Sequence, residues 1–170
     1  MELIELTVNG LAREVAVRPD ETLLEVLRRE FQTFGVRESC GIGMCGACTV
    51  LVDGRAISSC LVLAGLAGGL SVETVEGMGT TESLHPIQQA FVDHSGFQCS
   101  YCTPGFILAT KALLAENPDP TVDEVRHGLA GNLCRCGSYS RIMASVLDAA
   151  ERLRAAPPGP GDGAGEAVAE

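Results

Sequence analysis

A chain of 170 residues, 46% of them apolar, is long enough to bury one or two small cores. A net charge of −10, aromatics at 4% and no Trp argue against nucleic-acid binding, which needs basic groups for phosphate and rings for bases. No apolar run approaches the roughly 20 residues of a membrane span. The start, Met1-Glu2-Leu3-Ile4-Glu5, lacks the basic and apolar regions of an export signal. The chain is therefore expected in the cytoplasm, with co-export beside a signal-bearing partner left open. In that reducing compartment, eight cysteines point to metal ligands before disulfides.

From Leu3 to Val8 apolar and polar residues alternate, as in a half-buried strand. Asn9-Gly10 offers a two-residue hairpin turn, and Leu11 to Val17 a returning strand. Thr22-Leu23-Leu24-Glu25 is a capping box opening a helix to about Phe31. Gly35 to Gly46 is Gly-rich and reads as a loop. A second hairpin follows, Thr49 to Val52 and Arg55 to Ile57 around Asp53-Gly54, ending at Cys60. Ser71 to Val75 is a late strand. This order describes a β-grasp, ferredoxin-like domain over 1–76. After a Gly- and Thr-rich linker over 77–84 the period becomes helical. Helices are expected near Pro86–Asp93, Pro104–Glu116, Val122–Gly128 and Tyr139–Arg154, a four-helix bundle over 85–154. The fold class is thus α+β. The Pro-, Gly- and acid-rich stretch over 155–170 reads as a disordered tail.

The cysteines form two groups of four. Cys40, Cys45, Cys48 and Cys60 follow the C-x4-C-x2-C spacing plus a distant fourth cysteine of a plant-type [2Fe-2S] site. Their glycine-flanked loop suits a wrap around a small object and makes poor core material. Cys99, Cys102, Cys134 and Cys136 form a C-x2-C and a C-x-C pair, each at a helix start where partial positive charge favours an anionic cluster. Zinc remains a rival, because it also accepts four thiolates. The first group has one C-x2-C knuckle where zinc ribbons have two; the second spacing is less diagnostic. A Rieske centre is disfavoured, since His85, His94 and His127 stand outside any Cys-x-His pair and read as helix or cap residues. Arg135, between two cysteines, reads either as an ion-pair partner or as a charge tuning a cofactor.

These motifs give the chain a family resemblance. Cys40-Gly41-Ile42-Gly43-Met44-Cys45-Gly46-Ala47-Cys48-Thr49-Val50, Cys60, Gln98-Cys99, Cys102-Thr103-Pro104-Gly105-Phe106 and Gly131-Asn132-Leu133-Cys134-Arg135-Cys136 resemble the iron–sulfur small subunit of the molybdenum hydroxylases, the xanthine oxidase and aldehyde oxidoreductase family. The likeness runs from Leu3 to Leu153. It implies two [2Fe-2S] clusters, with Cys40, Cys45, Cys48 and Cys60 on the first and Cys99, Cys102, Cys134 and Cys136 on the second. It implies a large partner subunit holding molybdopterin, where a substrate carbon is hydroxylated with oxygen from water. An FAD-binding medium subunit, or another acceptor, takes the electrons. The resemblance also implies that Gln98 and Cys136 approach the pterin. The implied substrate is an aldehyde or N-heterocycle. A carbon monoxide dehydrogenase-type small subunit and a stand-alone ferredoxin are the alternatives. Two departures stand out: relatives often have Gly where this chain has Ser100, and a common Cys-Arg-Cys-Thr-Gly-Tyr ending is here Cys134-Arg135-Cys136-Gly137-Ser138-Tyr139.

Overall fold

The computed structural model describes residues 1–155. The tail expected over 155–170 lies outside the described residues, apart from Ala155, which closes the last helix.

The first half is a five-stranded sheet gripping one helix. Strands β1 (Glu2–Val8) and β2 (Leu11–Val17) pair antiparallel, with Val8 opposite Leu11. Asn9 and Gly10 both take positive φ (51° and 79°), as the tightest twisted hairpin turn requires. Strands β3 (Thr49–Val52) and β4 (Arg55–Ser58) form the second hairpin about Asp53-Gly54, again both at positive φ. The short strand β5 (Ser71–Glu73) joins the hairpins, parallel to β1 and antiparallel to β3, giving the order β2-β1-β5-β3-β4. It stops at Glu73, two residues before the expected end, where Val75–Gly77 tightens into a 3₁₀ turn.

Helix α1 (Leu23–Glu30) starts at the expected capping box. Thr22 N–H donates to Glu25 Oε2 at 2.7 Å, and Glu25 N–H to Thr22 Oγ1 at 3.3 Å. Leu23, Leu24, Val26 and Leu27 are buried with Ile4, Leu6, Val8, Val15 and Val17 in one apolar core. Spacing at one, three and four residues turns these leucines and valine onto one face, which the sheet covers.

The second half holds helices α2 (Pro86–Asp93), α3 (Thr103–Glu116), α4 (Val122–Gly128) and α5 (Tyr139–Ala155). Its core is centred on Ile87, Phe91, Phe106, Val125, Ile142, Val146 and Ala149. Val75 and Met78, at the junction of the halves, pack against this core. Arg152 clasps α5 to α2 through Asp93 (2.7 Å) and is braced within α5 by Asp148 (2.6 Å). Its guanidinium holds both carboxyls below the usual Asp range. The three histidines are structural. Ile87 N–H donates to His85 Nδ1 at the start of α2, His94 Nε2 meets Asp148 Oδ2, and His127 Nδ1 bonds Asp123 O. Among the described residues no helix is long and apolar enough to cross a membrane.

Replacing Thr22 by Ala removes one half of the α1 capping box. The expected loss is about 1 kcal/mol, read as a lower thermal midpoint with unchanged cysteine-site spectra.

Candidate metal centres

The first four cysteines come from one loop and one turn. Cys40 and Cys45 lie on the loop between α1 and β3, Cys48 immediately precedes β3, and Cys60 sits in the 3₁₀ turn Ser59–Leu61. Ser59 ties the last two together: its N–H and Oγ both donate to Cys48 O, at 3.3 and 2.7 Å. The loop curls because Gly41, Gly43 and Gly46 are all at positive φ. A side chain at Gly43 would have to push the Leu61 side chain aside and take a left-handed backbone, φ 74°. The curl turns backbone N–H groups inward. The Cys40 thiol is held down to about 7, first by the N–H of Ile42, then by the Cys45 side chain, with the N–H groups of Cys45 and Met44 adding. Burial pushes Cys60 up to about 11, and the Cys48 thiol adds to the rise. The sulfurs therefore fall into pairs, Cys40 with Cys45 and Cys48 with Cys60. A ring of amide donors around four thiols is an environment for a buried anion.

The second four form the same pattern from different parts. Cys99 and Cys102 precede α3; Cys134 and Cys136 precede α5. Cys99 is lowered by the N–H of Tyr101 first and by Cys136 next. Burial pushes Cys102 up to about 12, and the neighbouring Cys134 thiol adds to it. At Cys134 burial raises the pKa, yet the net direction is down, because the N–H of Ser138, the Cys102 thiol and other donors outweigh it. The Ser138 N–H reaches Cys134 Sγ at 3.4 Å. Here the pairs are Cys99 with Cys136 and Cys102 with Cys134. Gln98 joins this group, its Nε2 donating to Cys136 O at 3.3 Å on an exposed edge. Arg135 is exposed and makes no ion pair among the described residues.

The donor set suits a two-iron cluster. Such a cluster takes two thiolates at each iron, and each group offers two pairs. Among the described residues no three His, Cys, Asp or Glu side chains close around a single metal ion.

Several contributors were not legible as site residues. Asn132, 7% exposed, donates through Nδ2 to Gly46 O (3.0 Å) and Thr49 Oγ1 (3.3 Å), joining the two halves. Leu133 N–H donates to Cys45 O at 2.9 Å. Gly105 lies so close that a Cβ there would stand 2.1 Å from Gly46 O. Tyr139, with its ring edge-on to Phe106, accepts the Cys134 N–H at 2.9 Å. Ser100 has φ 63°, a left-handed backbone that glycine takes at no steric cost. Its turn is held by the Arg37 guanidinium, which donates to Ser100 O and lies 5.3 Å from the Tyr101 ring centroid.

Comparison with known proteins agrees with this arrangement. Residues 6–68 match the family described as a 2Fe-2S iron-sulfur cluster binding domain, and residues 74–147 a [2Fe-2S] binding domain. One subunit of a probable xanthine dehydrogenase from Bacillus subtilis is 50% identical over 85% of this chain and 83% of its own length. The chain belongs to the small [2Fe-2S] subunits of the molybdenum hydroxylase family. Within that family, the aldehyde oxidoreductase iron-sulfur-binding subunit of Escherichia coli is 41% identical, over 89% of this chain and 72% of its own. The crystal structure of quinoline 2-oxidoreductase from Pseudomonas putida contains a chain with TM-score 0.86 and 41% identity, covering 91% of this chain and 96% of that one. The protein is thus an electron-transfer subunit of an oxidoreductase, with two [2Fe-2S] binding domains.

Two substitutions test the geometry. Gly105→Ala drives a methyl group into the Gly46 carbonyl; a loss of about 1–3 kcal/mol is expected in denaturant unfolding. Ser100→Gly relieves a left-handed backbone and should stabilise by about 0.5–1 kcal/mol in the same measurement.

Proposed function

We propose that this chain carries electrons singly from a molybdopterin centre in a large partner subunit to FAD in a medium subunit or to another acceptor. Cys99, Cys102, Cys134 and Cys136 are the ligands of the inner cluster. Cys40, Cys45, Cys48 and Cys60 are the ligands of the outer one. On the sulfur pairs described above, Cys40 and Cys45 share one iron and Cys48 and Cys60 the other. Likewise Cys99 shares an iron with Cys136, and Cys102 with Cys134. When bound, a [2Fe-2S] cluster takes up and releases one electron.

The observation that carries this reading is the Leu133 N–H to Cys45 O hydrogen bond, 2.9 Å long. Leu133 is bonded to Cys134 and Cys45 belongs to the other quartet. One hydrogen bond therefore connects the two ligand sets through a short backbone path. The ends of the path differ in a way that suits two partners. Gln98 and Cys99 are exposed beside the inner quartet, with Leu133 and Tyr101 near them or its ligands in sequence; this supports a large subunit whose pterin approaches Gln98 and Cys136. Ile42 (63% exposed), Met44 (66%) and Leu61 (63%) form an apolar collar at the outer loop, which supports docking of an electron acceptor.

The domain division goes with the same reading: 1–76 holds the outer cluster, 77–84 connects, and 85–154 holds the inner one. The substrate of the assembled enzyme is an aldehyde or N-heterocycle, in line with the aldehyde, xanthine and quinoline named for relatives. Eight cysteines engaged with iron fit a cytoplasmic location.

The test is metal analysis and EPR of the complex isolated with its large subunit. About four irons and four acid-labile sulfides per chain are expected, two for each cluster, with two distinguishable signals on reduction. Cys45→Ser should abolish the outer signal and leave the inner, and Cys99→Ser should do the reverse. Zinc without sulfide, a single signal, or Cys99→Ser sparing both signals would refute the assignment.

A further inference from the structure

Ser138 stands at the N-cap of α5: its carbonyl accepts the first helical hydrogen bond, from Ile142 N–H at 3.0 Å. A serine in that place ordinarily turns its hydroxyl onto an N–H of the first helical turn. Ser138 does not. Its Oγ makes no hydrogen bond among the described residues, and the residue is 3% exposed, so bulk water does not serve it. A buried hydroxyl without a partner is uncommon and costly, and asks for an acceptor. The neighbouring atom of that kind is sulfur. The Ser138 N–H points at Cys134 Sγ (3.4 Å), which brings the hydroxyl of the same residue close to that sulfur. The hydroxyl is unengaged, and rotation about its own bond is all it needs to turn its hydrogen toward an acceptor there.

We propose that Ser138 sets the potential of the inner cluster: its hydroxyl donates a hydrogen bond to the cluster-bound sulfur of Cys134 and favours the reduced state. This rests on the ligand assignment above. Reduction adds one negative charge, and a hydrogen bond to a ligating sulfur strengthens as that charge grows. No proton is transferred. The electron that arrives at the inner cluster leaves for the outer one, and the hydroxyl keeps its hydrogen throughout. Ser138 touches a ligand and no substrate, so it is a tuning residue and not a catalytic one.

The experiment is an EPR-monitored redox titration of the complex carrying Ser138→Ala, Ser138→Gly or Ser138→Thr. Ala and Gly should shift the sharing of one electron between the clusters about threefold to tenfold toward the outer cluster, tenfold being about 59 mV for one electron. The outer midpoint should not move. Thr, which keeps the hydroxyl, should restore the wild-type midpoint. The Gly variant makes the test even if Ala disturbs assembly. An inner midpoint unchanged in both Ala and Gly variants, or equal shifts at both clusters, overturns the role of Ser138. A wild-type complex without two signals overturns the ligand assignment itself, and this proposal with it.

Discussion

One carbonyl oxygen organises the molecule. Gly46 O accepts hydrogen bonds from Thr49 N–H, Thr49 Oγ1 and Asn132 Nδ2, and it lies against the backbone of Gly105. The first two donors shape the cysteine loop of the β domain. The third comes from the helical domain, one residue before Leu133 and two before Cys134. The same atom therefore sets the loop's exit into β3 and the seating of the second domain on it. Close approach is possible only because neither Gly46 nor Gly105 has a side chain. Gly46, at φ 67°, also takes a backbone conformation that other residues resist.

Around that contact the two quartets solve one problem by different means. Four thiolates and two sulfides are an anionic load that a low-dielectric interior resists. The β domain answers with a loop whose positive-φ glycines turn successive amides inward. The helical domain puts its cysteines just ahead of α3 and α5, and adds single donors such as Ser138 N–H. The apolar cores stand behind both sites and keep them from spreading: Cys48 and Cys60 belong to the first core, Cys134 to the second.

Much of this was legible in the chain because the signals are local. Alternation from Ile4 to Val8, the Asn9-Gly10 and Asp53-Gly54 turns and the capping boxes at Thr22 and Thr121 each depend on residues a few places apart. The two [2Fe-2S] binding domains were legible because each carries a compact group of four cysteines. What was hidden depends on distant partners. Strand β5 has three residues, too few to show a period, and pairs with β1 far earlier in the chain. Asn132 looks like any loop asparagine until Gly46 is brought to it. Ser100 looks like a neutral replacement until its backbone angle is known. Ser138 resembles an ordinary cap until its hydroxyl proves idle.

The hydrogen bond between Leu133 and Cys45 has a kinetic meaning. Two separate proteins that exchange electrons must first collide and find a productive orientation, so concentration and ionic strength enter the rate. Here both stations are bolted to one backbone contact whose polar atoms are paired. Transfer between them is a first-order event within one molecule, insensitive to dilution and salt. Any diffusion-limited step is thereby pushed outward to the chain's surfaces.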